Sequence, residues 1–399
     1  MTDTVEAPLA GLRVLDLTRV IAGPTCAMVL GDLGAEVVKV EDPRGGDSVR
    51  QMGGFREGFS LYFQALNRRK QSVTLDLANP EGQRIARALA LASDVLIENY
   101  VADALDKYGL GYQALSEAHP GLVYCSISGY GKTGPDRQRA GYDQAIQAEI
   151  GVMSVNGEPG SEPTRLPVSY QDVITGLYAA NSVQAALRVR ERTGRGQWID
   201  LSLIDCGLSA FLNYAGDTLG GVPTRRWGNA ALASPVNAYR TRDDARIMMI
   251  VGSDFQFRRF LEAAGRQELM DDPRFVTIKA RMANQELVEK TVADIFLADD
   301  RDAWMEKLRA KSVPAGPVRS VEEGMASPEV RARGMIHRID HPVMGEVEVV
   351  GSPIRLSETP VPPPTPAPVL GADTDAVMAR MLDMDAAAIA AARDAGAFG

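Results

Sequence analysis

Residues 11–41 read GLRVLDLTRVIAGPTCAMVLGDLGAEVVKVE. The segment opens on a branched apolar run at 12–17, continues with a helical pattern at 24–33 and closes on a second apolar run at 36–41. Gly34 follows the helical pattern, and glycine is a typical helix stop. Two strands joined through a helix pair in parallel, because a parallel connection needs such a crossover. The segment therefore predicts an α/β fold.

The same alternation continues along the first half of the chain. Further strand patterns lie at 72–77, 94–98, 122–127 and 197–201, and helical patterns lie at 80–91 and 173–190. Strands that alternate with helices predict a doubly wound parallel sheet, whose ligands bind at the carboxyl ends of the strands. We therefore expect the functional site in the loops at 18–24, 42–50, 98–107 and 128–143.

A second unit follows a glycine-rich, irregular segment at 216–235. One strand pattern lies at 246–251, and helical patterns lie at 255–264, 285–298 and 301–311. Strand patterns return at 341–356, and a proline-rich segment at 359–368 predicts an extended connector. The sequence therefore predicts more than one domain.

Composition excludes several classes of function. The 399 residues include 43 Lys and Arg against 52 Asp and Glu, a net charge of −9 that argues against a nucleic-acid or polybasic membrane surface. No apolar run is long enough to span a membrane, and the first residues do not resemble a signal peptide. We therefore expect a cytoplasmic protein.

Cysteine and histidine are both scarce. The cysteines are too few for a disulfide framework and form no CxxC pair, and the histidines leave little material for a metal site or a histidine-dependent triad. These residues are Cys26, Cys125 and Cys206, and His119, His337 and His341. We expect no metal.

Two short motifs, one rich in glycine and one basic, resemble known phosphate-binding sequences. Residues 129–134 (GYGKTG) match GxGxxG, but the dinucleotide fingerprint must open a helix, and the residues PDR at 135–137 continue a loop. A P-loop is excluded because Ser126 takes the place of its first glycine. The basic run RRK at 68–70 is either a solvated turn or a phosphate contact, and the sequence leaves both open.

Asp172 lies at the start of the helical pattern at 173–190. A carboxylate at this place faces the positive end of the helix dipole and can cap free N–H groups. The same environment would keep the carboxylate ionised and fixed, as a nucleophile requires. Position alone leaves the helix cap and the nucleophile both open.

Short motifs occur in a fixed order along nearly the whole chain. They are GLRVLDL (11–17), TRVIAGP (18–24), LGAEVVKVE (33–41), GGD (45–47), NRRKQS (67–72), LDL (75–77), ENY (98–100), SGYG (128–131), TGRGQ (193–197), PAGP (314–317) and LGADT (370–374). In this order and spacing the chain resembles the class III CoA-transferases, the family of formyl-CoA transferase and the carnitine CoA-transferases.

The resemblance implies the domain organisation. A large Rossmann-like domain would combine 1–215 with a return segment at 331–399, and a small α+β domain with its linkers would occupy 216–330. The resemblance also implies a homodimer, in which two subunits are threaded through each other as interlocked rings.

The resemblance further implies the chemistry. The family's nucleophilic aspartate aligns with Asp172, in the pattern Asp-x-x-x-Gly that ends at Gly176. CoA would pass from an acyl-CoA to a carboxylic acid through an aspartyl anhydride and then an aspartyl-CoA thioester. A carboxylate nucleophile needs no general base, which suits a chain with few histidines. The CoA thioester is then a substrate, and we expect no tightly bound cofactor.

Family contacts to CoA carry over onto matching positions. They are Arg19, Val20, Ile21, Leu75, Ala78, Asn99, Tyr100, Lys107, Arg139 and Tyr142. The chain departs from formyl-CoA transferase at Asp42, where that enzyme has arginine, and Arg44 is the candidate replacement. Gly228 and Asn229 lie in the glycine-rich segment, which is either a mobile shield over Asp172 or a linker.

The substrate is the least determined part. Arg165, Arg225 and Arg226 are candidates to pair a distal carboxylate, which favours a dicarboxylate such as succinate, citramalate, malate, glutarate or oxalate. Alternatives are a carnitine-type or monocarboxylate CoA-transferase, and a non-catalytic CoA-binding protein. An α-methylacyl-CoA racemase is disfavoured, because it needs a histidine where this chain has Tyr142.

Overall fold

The computed structural model describes residues 6–231 and 233–399. Strands occupy Arg13–Asp16 (β1), Glu36–Glu41 (β2), Phe55–Arg56 (β3), Phe59–Ser60 (β4), Lys70–Thr74 (β5), Val95–Glu98 (β6), Val123–Ser128 (β7), Trp198–Ser202 (β8), Val236–Arg240 (β9), Arg246–Ile250 (β10), Ala315–Pro317 (β11), Ile336–His341 (β12) and Gly345–Val350 (β13).

Helices lie between and after these strands. They occupy Ala22–Asp32 (α1), Leu61–Leu66 (α2), Pro80–Leu91 (α3), Tyr112–Ala118 (α4), Asp143–Glu149 (α5), Val152–Val155 (α6), Tyr170–Thr193 (α7), Leu203–Ala210 (α8), Leu212–Leu219 (α9), Asp254–Ala264 (α10), Pro273–Val276 (α11), Ile278–Ala283 (α12), Gln285–Phe296 (α13), Arg301–Ala310 (α14), Val321–Ala326 (α15), Pro328–Ala332 (α16), Thr374–Leu382 (α17) and Ala386–Asp394 (α18).

The chain forms two compact units. Of the described residues, the first unit combines 6–152, 165–222 and 331–399, and the second combines 153–164 with 223–231 and 233–330. The segment at 153–164 therefore joins the second unit, although it lies inside the range that the sequence assigned to the large domain.

A parallel sheet forms the centre of the first unit. Its strands run in the order β5-β2-β1-β6-β7-β8, and every neighbouring pair is parallel. The strand order reverses between β1 and β6, which is where doubly wound sheets bind ligands. Strands β1, β2, β6 and β7 lie within two residues of their predicted places, because buried parallel strands are short segments rich in Val, Ile and Leu.

Helices cover both faces of this sheet. On one face, α3, α17 and α18 pack against a core that includes Leu15, Val73 and Leu96. On the other, α1 and α7 pack against Val14, Val37 and Ile97. Asn79 begins α3 as predicted, since its Oδ1 accepts the N–H of Glu81 at 2.8 Å.

Residues from 371–398 close the edge of the sheet at β5. The Ser72 N–H donates to Asp373 Oδ2 at 2.8 Å, and the Asp373 N–H donates back to the Ser72 carbonyl at 3.0 Å. Further along, Thr74 Oγ1 donates to the carbonyl of Phe398 at 3.0 Å. The edge strand therefore has hydrogen-bond partners that come from the far end of the sequence.

The second unit has its own sheet and core. The strands β11-β10-β9 form an antiparallel sheet, packed against helices through Phe257, Phe260, Phe296 and Trp304. Strand β9 was not predicted. The segment at 216–235 is not irregular throughout, because α9 continues to Leu219.

Two expectations about smaller elements need correction. The strands predicted within 341–356 form a hairpin of β12 and β13, which begins earlier and turns at 342–344 (PVM), where proline favours a turn.

Both interpretations of the basic run at 68–70 are wrong, since two of its cations lie in buried ion pairs: Arg68 with Asp32 at 2.6 Å, and Lys70 with Asp16 at 2.9 Å.

Among the residues that the structure describes, no helix combines the length and the apolar character needed to cross a membrane.

Candidate active site

A cavity of about 600 Å³ opens at the point where the strand order reverses. It lies in the first unit and gathers loop residues that follow β1, β6 and β7, together with the first turn of α7. Most of the predicted site residues line it: Arg19, Val20, Ile21, Asn99, Tyr100, Arg139, Tyr142 and Asp172. The structure therefore brings the proposed nucleophile and the predicted CoA loops to one place.

Two loops are joined directly across this switch point. The N–H of Arg19 donates to Asn99 Oδ1 at 2.9 Å, and Asn99 Nδ2 donates to the Arg19 carbonyl at 2.7 Å. The Arg19 guanidinium lies 4.6 Å from the centre of the Tyr100 ring. This reciprocal pair fixes the loop after β1 to the loop after β6.

A second cavity of about 420 Å³ shares Arg19 and Tyr100 with the first. Leu75 and Ala78 line it, and their contact with the nucleotide end of CoA stays a prediction. Arg44 also lines it, but its guanidinium pairs with Asp42 at 2.8 Å, which lowers the pKa of that carboxyl. Arg44 thus lies near Asp42, which stands where formyl-CoA transferase has arginine, and the ion pair with Asp42 holds the Arg44 guanidinium in place.

Lys107 lines neither cavity. It is exposed, and its ammonium lies 4.6 Å from the ring centre of Tyr108, which does line the second cavity. A contact between Lys107 and a phosphate stays a prediction.

The loop that carries Arg139 and Tyr142 is fastened to the end of β7 by two glycines. A Cβ on Gly129 would lie 2.5 Å from Gly141 Cα, and a Cβ on Gly141 would lie 2.4 Å from Gly129 Cα. Arg139 pairs with Glu149 and lies over the Tyr130 ring, whereas Tyr142 is 65% exposed. Only glycine at both places permits this backbone contact.

Asp172 is the third residue of α7 and not its cap. The residue before the helix is Ser169, and the buried carboxylate of Asp143 accepts the N–H groups of Gln171 at 2.7 Å and Asp172 at 3.2 Å. Asp143 therefore satisfies the helix start from a neighbouring element. The prediction that Asp172 caps the helix is wrong, because this outside carboxylate already takes those donors.

The electrostatic expectation for Asp172 also needs correction. Burial, with a smaller contribution from the negative charge of Asp143, raises the pKa of Asp172 to about 7. Desolvation disfavours the charged carboxylate more than the helix start favours it. The side chain is thus divided between acid and carboxylate near neutral pH, and the charge is weakly solvated when it forms.

Gly176 explains the spacing of the Asp-x-x-x-Gly pattern. A Cβ at this position would lie 2.6 Å from the carbonyl oxygen of Ala22 and 2.7 Å from Thr25 Cβ. Glycine therefore lets α7 approach the first turn of α1 one helical turn after Asp172. This contact places the nucleophile beside the loop that precedes α1.

The four predicted substrate residues are divided between the two units. Arg165 belongs to the first, where its guanidinium donates to the carbonyl of Leu166 at 3.2 Å. Arg225, Gly228 and Asn229 belong to the second, where Arg225 stacks 3.6 Å from the ring centre of Trp227. A cavity of about 470 Å³ in this unit is lined by Arg225, Arg226 and Trp227 among others.

Sequence reasoning missed three residues that shape the first cavity. Asp47 and Lys39 hold the loop after β1, and Lys132 Nζ pairs with Glu98 at 2.7 Å and donates to the Tyr100 carbonyl at 2.7 Å. Lysine inside the apolar strand sequence EVVKVE was a usable signal for Lys39, since a charge in a buried strand requires a partner.

Comparison with known proteins identifies the family of the chain. A family model described as CoA-transferase family III matches residues 9–374. The chain is 39% identical over 387 residues to a succinate–glutarate CoA-transferase of Agrobacterium fabrum, covering 94% of this chain and 96% of the relative. It is 36% identical over 392 residues to the human succinyl-CoA:glutarate CoA-transferase, covering 98% and 89%.

A solved structure extends the comparison to the fold. The crystal structure of a CAIB/BAIF family protein from Brucella suis superposes with a TM-score of 0.84 at 38% identity, covering 94% of this chain and 100% of the other. The parallel sheet, the cavity at its switch point and the match over most of the sequence lead to one assignment: the chain belongs to CoA-transferase family III and is a CoA-transferase.

Proposed function

We propose that the protein moves CoA from an acyl-CoA donor to a carboxylic acid, with Asp172 as the nucleophile. One observation carries the proposal: the Asp172 carboxylate lines the same cavity as the loops at Arg19–Ile21 and Asn99–Tyr100. None of the three histidines lines this cavity, so the reacting carboxylate works without a histidine base. Tyr142 occupies the place where a racemase needs histidine, which disfavours that alternative.

The reaction would proceed through two covalent forms of Asp172. A carboxylate oxygen of Asp172 attacks the thioester carbon of the donor. The C–S bond then breaks, which releases CoA as thiolate and leaves a mixed anhydride of Asp172 and the donor acid. The thiolate then attacks the aspartyl carbonyl carbon, releasing the donor acid and leaving an aspartyl-CoA thioester. The acceptor carboxylate repeats these two steps in reverse and restores Asp172.

Burial of Asp172 suits this chemistry in two ways. A weakly solvated carboxylate is a stronger nucleophile than one in water, and a sheltered anhydride is protected from hydrolysis. We infer that Gly228 and Asn229, from the glycine-rich segment, belong to the shield that excludes water, as the family resemblance implies.

We further propose a dicarboxylate acceptor. Two relatives are named for succinate and glutarate, both of which carry a second carboxylate. The second unit offers the matching charge, because Arg225 and Arg226 line one cavity beside Trp227. Guanidinium groups bind carboxylates with paired hydrogen bonds. Arg165 is the corresponding candidate in the first unit.

A second copy of the chain is the partner we propose, as an interlocked homodimer. Three leucines on α8 and α9 are unusually exposed for apolar side chains: Leu208 at 52%, Leu212 at 73% and Leu219 at 90%. Another subunit would cover them.

The free, buried thiols of Cys26, Cys125 and Cys206 suit a reducing compartment, and we propose the cytoplasm.

An acyl-exchange screen tests the reaction. The purified protein and its Asp172→Asn variant are incubated with succinyl-CoA and a panel of dicarboxylic, monocarboxylic and carnitine-like acids, and new CoA thioesters are detected by mass spectrometry. We expect new thioesters of dicarboxylic acids with the wild type and none with the variant. Exchange by the variant would overturn the role of Asp172, and exchange confined to monocarboxylic acids would overturn the acceptor class.

A further inference from the structure

The loop after β1 contains a residue in an unfavourable backbone conformation. Val20 has a φ of +70°, in the left-handed region that a β-branched residue rarely adopts. Arg19 and Ile21 flank it, and all three residues line the cavity of Asp172. A loop of this shape persists only when its surroundings hold it.

Two buried side chains hold the loop from below. The Val20 N–H lies 3.1 and 3.2 Å from the two carboxylate oxygens of Asp47. Lys39 Nζ pairs with Asp47 at 3.1 Å and donates to the Thr18 carbonyl oxygen at 2.7 Å. A single ion pair therefore bridges the two sides of the loop, and both side chains are 0% exposed.

A second ion pair supports the first. Lys70 pairs with Asp16 at 2.9 Å, and Asp16 Oδ1 accepts the N–H of Thr18 at 2.9 Å. Burial alone would raise the pKa of Asp16, but Lys70 and Lys39 lower it to about 2. Burial lowers the pKa of Lys70 to about 8, whereas the negative charges of Asp16 and Asp47 raise the pKa of Lys39, so both lysines are charged at pH 7 and offset the charge of Asp16.

The direction of the hydrogen bonds distinguishes this cluster from a general stabilising device. Buried ion pairs are an inefficient way to stabilise a core, because apolar side chains of similar size do so equally well. Here the charged groups form hydrogen bonds with the backbone of Thr18 and Val20. Lys39 itself lines neither of the two cavities, whereas its partner Asp47 lines the second, so an effect of Lys39 on a ligand must pass through the loop or through Asp47.

We propose that Lys39, paired with Asp47, is a positioning residue that holds the Arg19–Ile21 loop in the shape that binds the CoA moiety. The inference rests on the proposed function, since it takes the switch-point cavity as the CoA site. It assigns a role in substrate affinity to a buried lysine that lines neither cavity.

The test removes the ion pair without leaving an unpaired charge. The variant Lys39→Met/Asp47→Asn keeps an oxygen that can accept the Val20 N–H and retains the Lys70–Asp16 pair. The matched control is Arg68→Met/Asp32→Asn, which removes another buried ion pair of the same unit, one that lines neither cavity. CoA affinity is measured by calorimetry, and KM and kcat are measured with acyl-CoA.

Both double variants should fold, but only the first should weaken CoA binding. We expect its Kd for CoA and KM for acyl-CoA to rise about tenfold or more, the loss of one charge-assisted restraint, with kcat changed less than about threefold. An unchanged Kd, or an equal rise in the control, would overturn the positioning role. Asp47→Asn alone measures the direct effect of a residue that lines the second cavity, and Lys39→Met alone, at a residue that lines neither cavity, gives the readout for Lys39 if the double variant does not fold.

Arg19→Ala separates failure of this inference from failure of the site. A folded Arg19→Ala protein with unchanged CoA affinity would contradict the CoA site itself. Weaker binding by Arg19→Ala, together with unchanged binding by Lys39→Met/Asp47→Asn, would contradict only the role of Lys39.

Discussion

The carboxylate of Asp143 accepts the backbone N–H of Asp172 at 3.2 Å, so one acidic residue holds the helix turn that carries the other. The same proximity makes the negative charge of Asp143 one cause of the raised pKa of Asp172. Position and proton affinity of the proposed nucleophile are therefore coupled through a single neighbour.

The first prediction concerns the pH dependence of the reaction. Asp172 attacks as the carboxylate, and its pKa is about 7, so kcat/KM should rise with pH through about 7 and level off above it. In Asp143→Asn the neighbouring charge is gone but burial remains, so the acidic limb should move to lower pH and still lie above the ordinary range of a carboxyl group. Initial rates from pH 5 to pH 9 measure this.

Binding of free CoA over the same pH range is the control, because titration of CoA phosphate groups would change binding as well as rate. A flat kcat/KM profile between pH 5 and pH 8 would show that Asp172 is not the group that must ionise.

The second prediction concerns stability. A carboxyl group whose pKa rises from 3.8 to about 7 on folding stabilises the fold when protonated, and this contribution is lost as pH rises from about 4 through about 7. Asparagine cannot ionise. Asp172→Asn should therefore melt at the same temperature as the wild type near pH 4 and be more stable at pH 8, by on the order of 2 kcal/mol after allowance for partial solvation.

Thermal melts at the two pH values measure the difference. Asp302→Asn on α14 is the control, since that side chain is 90% exposed and should show no such pH-dependent gain. A wild type that is the more stable protein at pH 8 would contradict the prediction.

The third prediction concerns the contact between α7 and α1. Gly176→Ala places a methyl group 2.6 Å from the Ala22 carbonyl, so the helices must separate and move Asp172. We expect a loss of about 1–3 kcal/mol in the free energy of unfolding and a lower kcat. Chemical denaturation and steady-state kinetics measure the two effects.

Gly324→Ala is a matched control for this substitution. Gly324 is also helical, in α15, and a Cβ there would meet nothing within 4 Å. Alanine should be neutral or stabilise by up to about 1 kcal/mol. Equal losses in both variants would mean that helix propensity, and not the contact with α1, explains the result.

The fourth prediction concerns acceptor choice. Arg225→Ala removes a guanidinium that lines the cavity of the second unit, so the KM for dicarboxylic acceptors should rise about tenfold. The KM for a monocarboxylic acid should change little, because it has no second charge to bind. Arg258→Ala, at an exposed arginine of α10 in the same unit, should alter neither.

The sequence was sufficient for the sheet but not for every smaller element. Strands β1, β2, β6 and β7 are short segments rich in buried Val, Leu and Ile, so their type and approximate limits follow from the sequence. Strand β9, with the sequence VNAYR, lacks that pattern and is defined by pairing with β10. Long-range pairing of this kind is invisible to a local pattern.

The candidate site also combines features that the sequence predicts with features that depend on long-range contacts. Loops after parallel strands could be expected to meet, and the resemblance to a family supplied the individual residues. The supporting charges could not be paired in advance, because Lys39 contacts residues that lie both before and after it in sequence, at 16–18 and at 47. The raised pKa of Asp172 depends on burial and on Asp143, which only the folded chain brings together.

The edge of the central sheet depends on residues that are translated last among those it contacts. Ser72 and Thr74 find their partners at Asp373 and Phe398, about three hundred residues later. During synthesis, the outer edge of β5 therefore has no hydrogen-bond partners until the entire second unit has emerged from the ribosome. We expect a chain that ends after residue 330 to keep this edge open, because it lacks Asp373 and Phe398, and to associate with other chains through it.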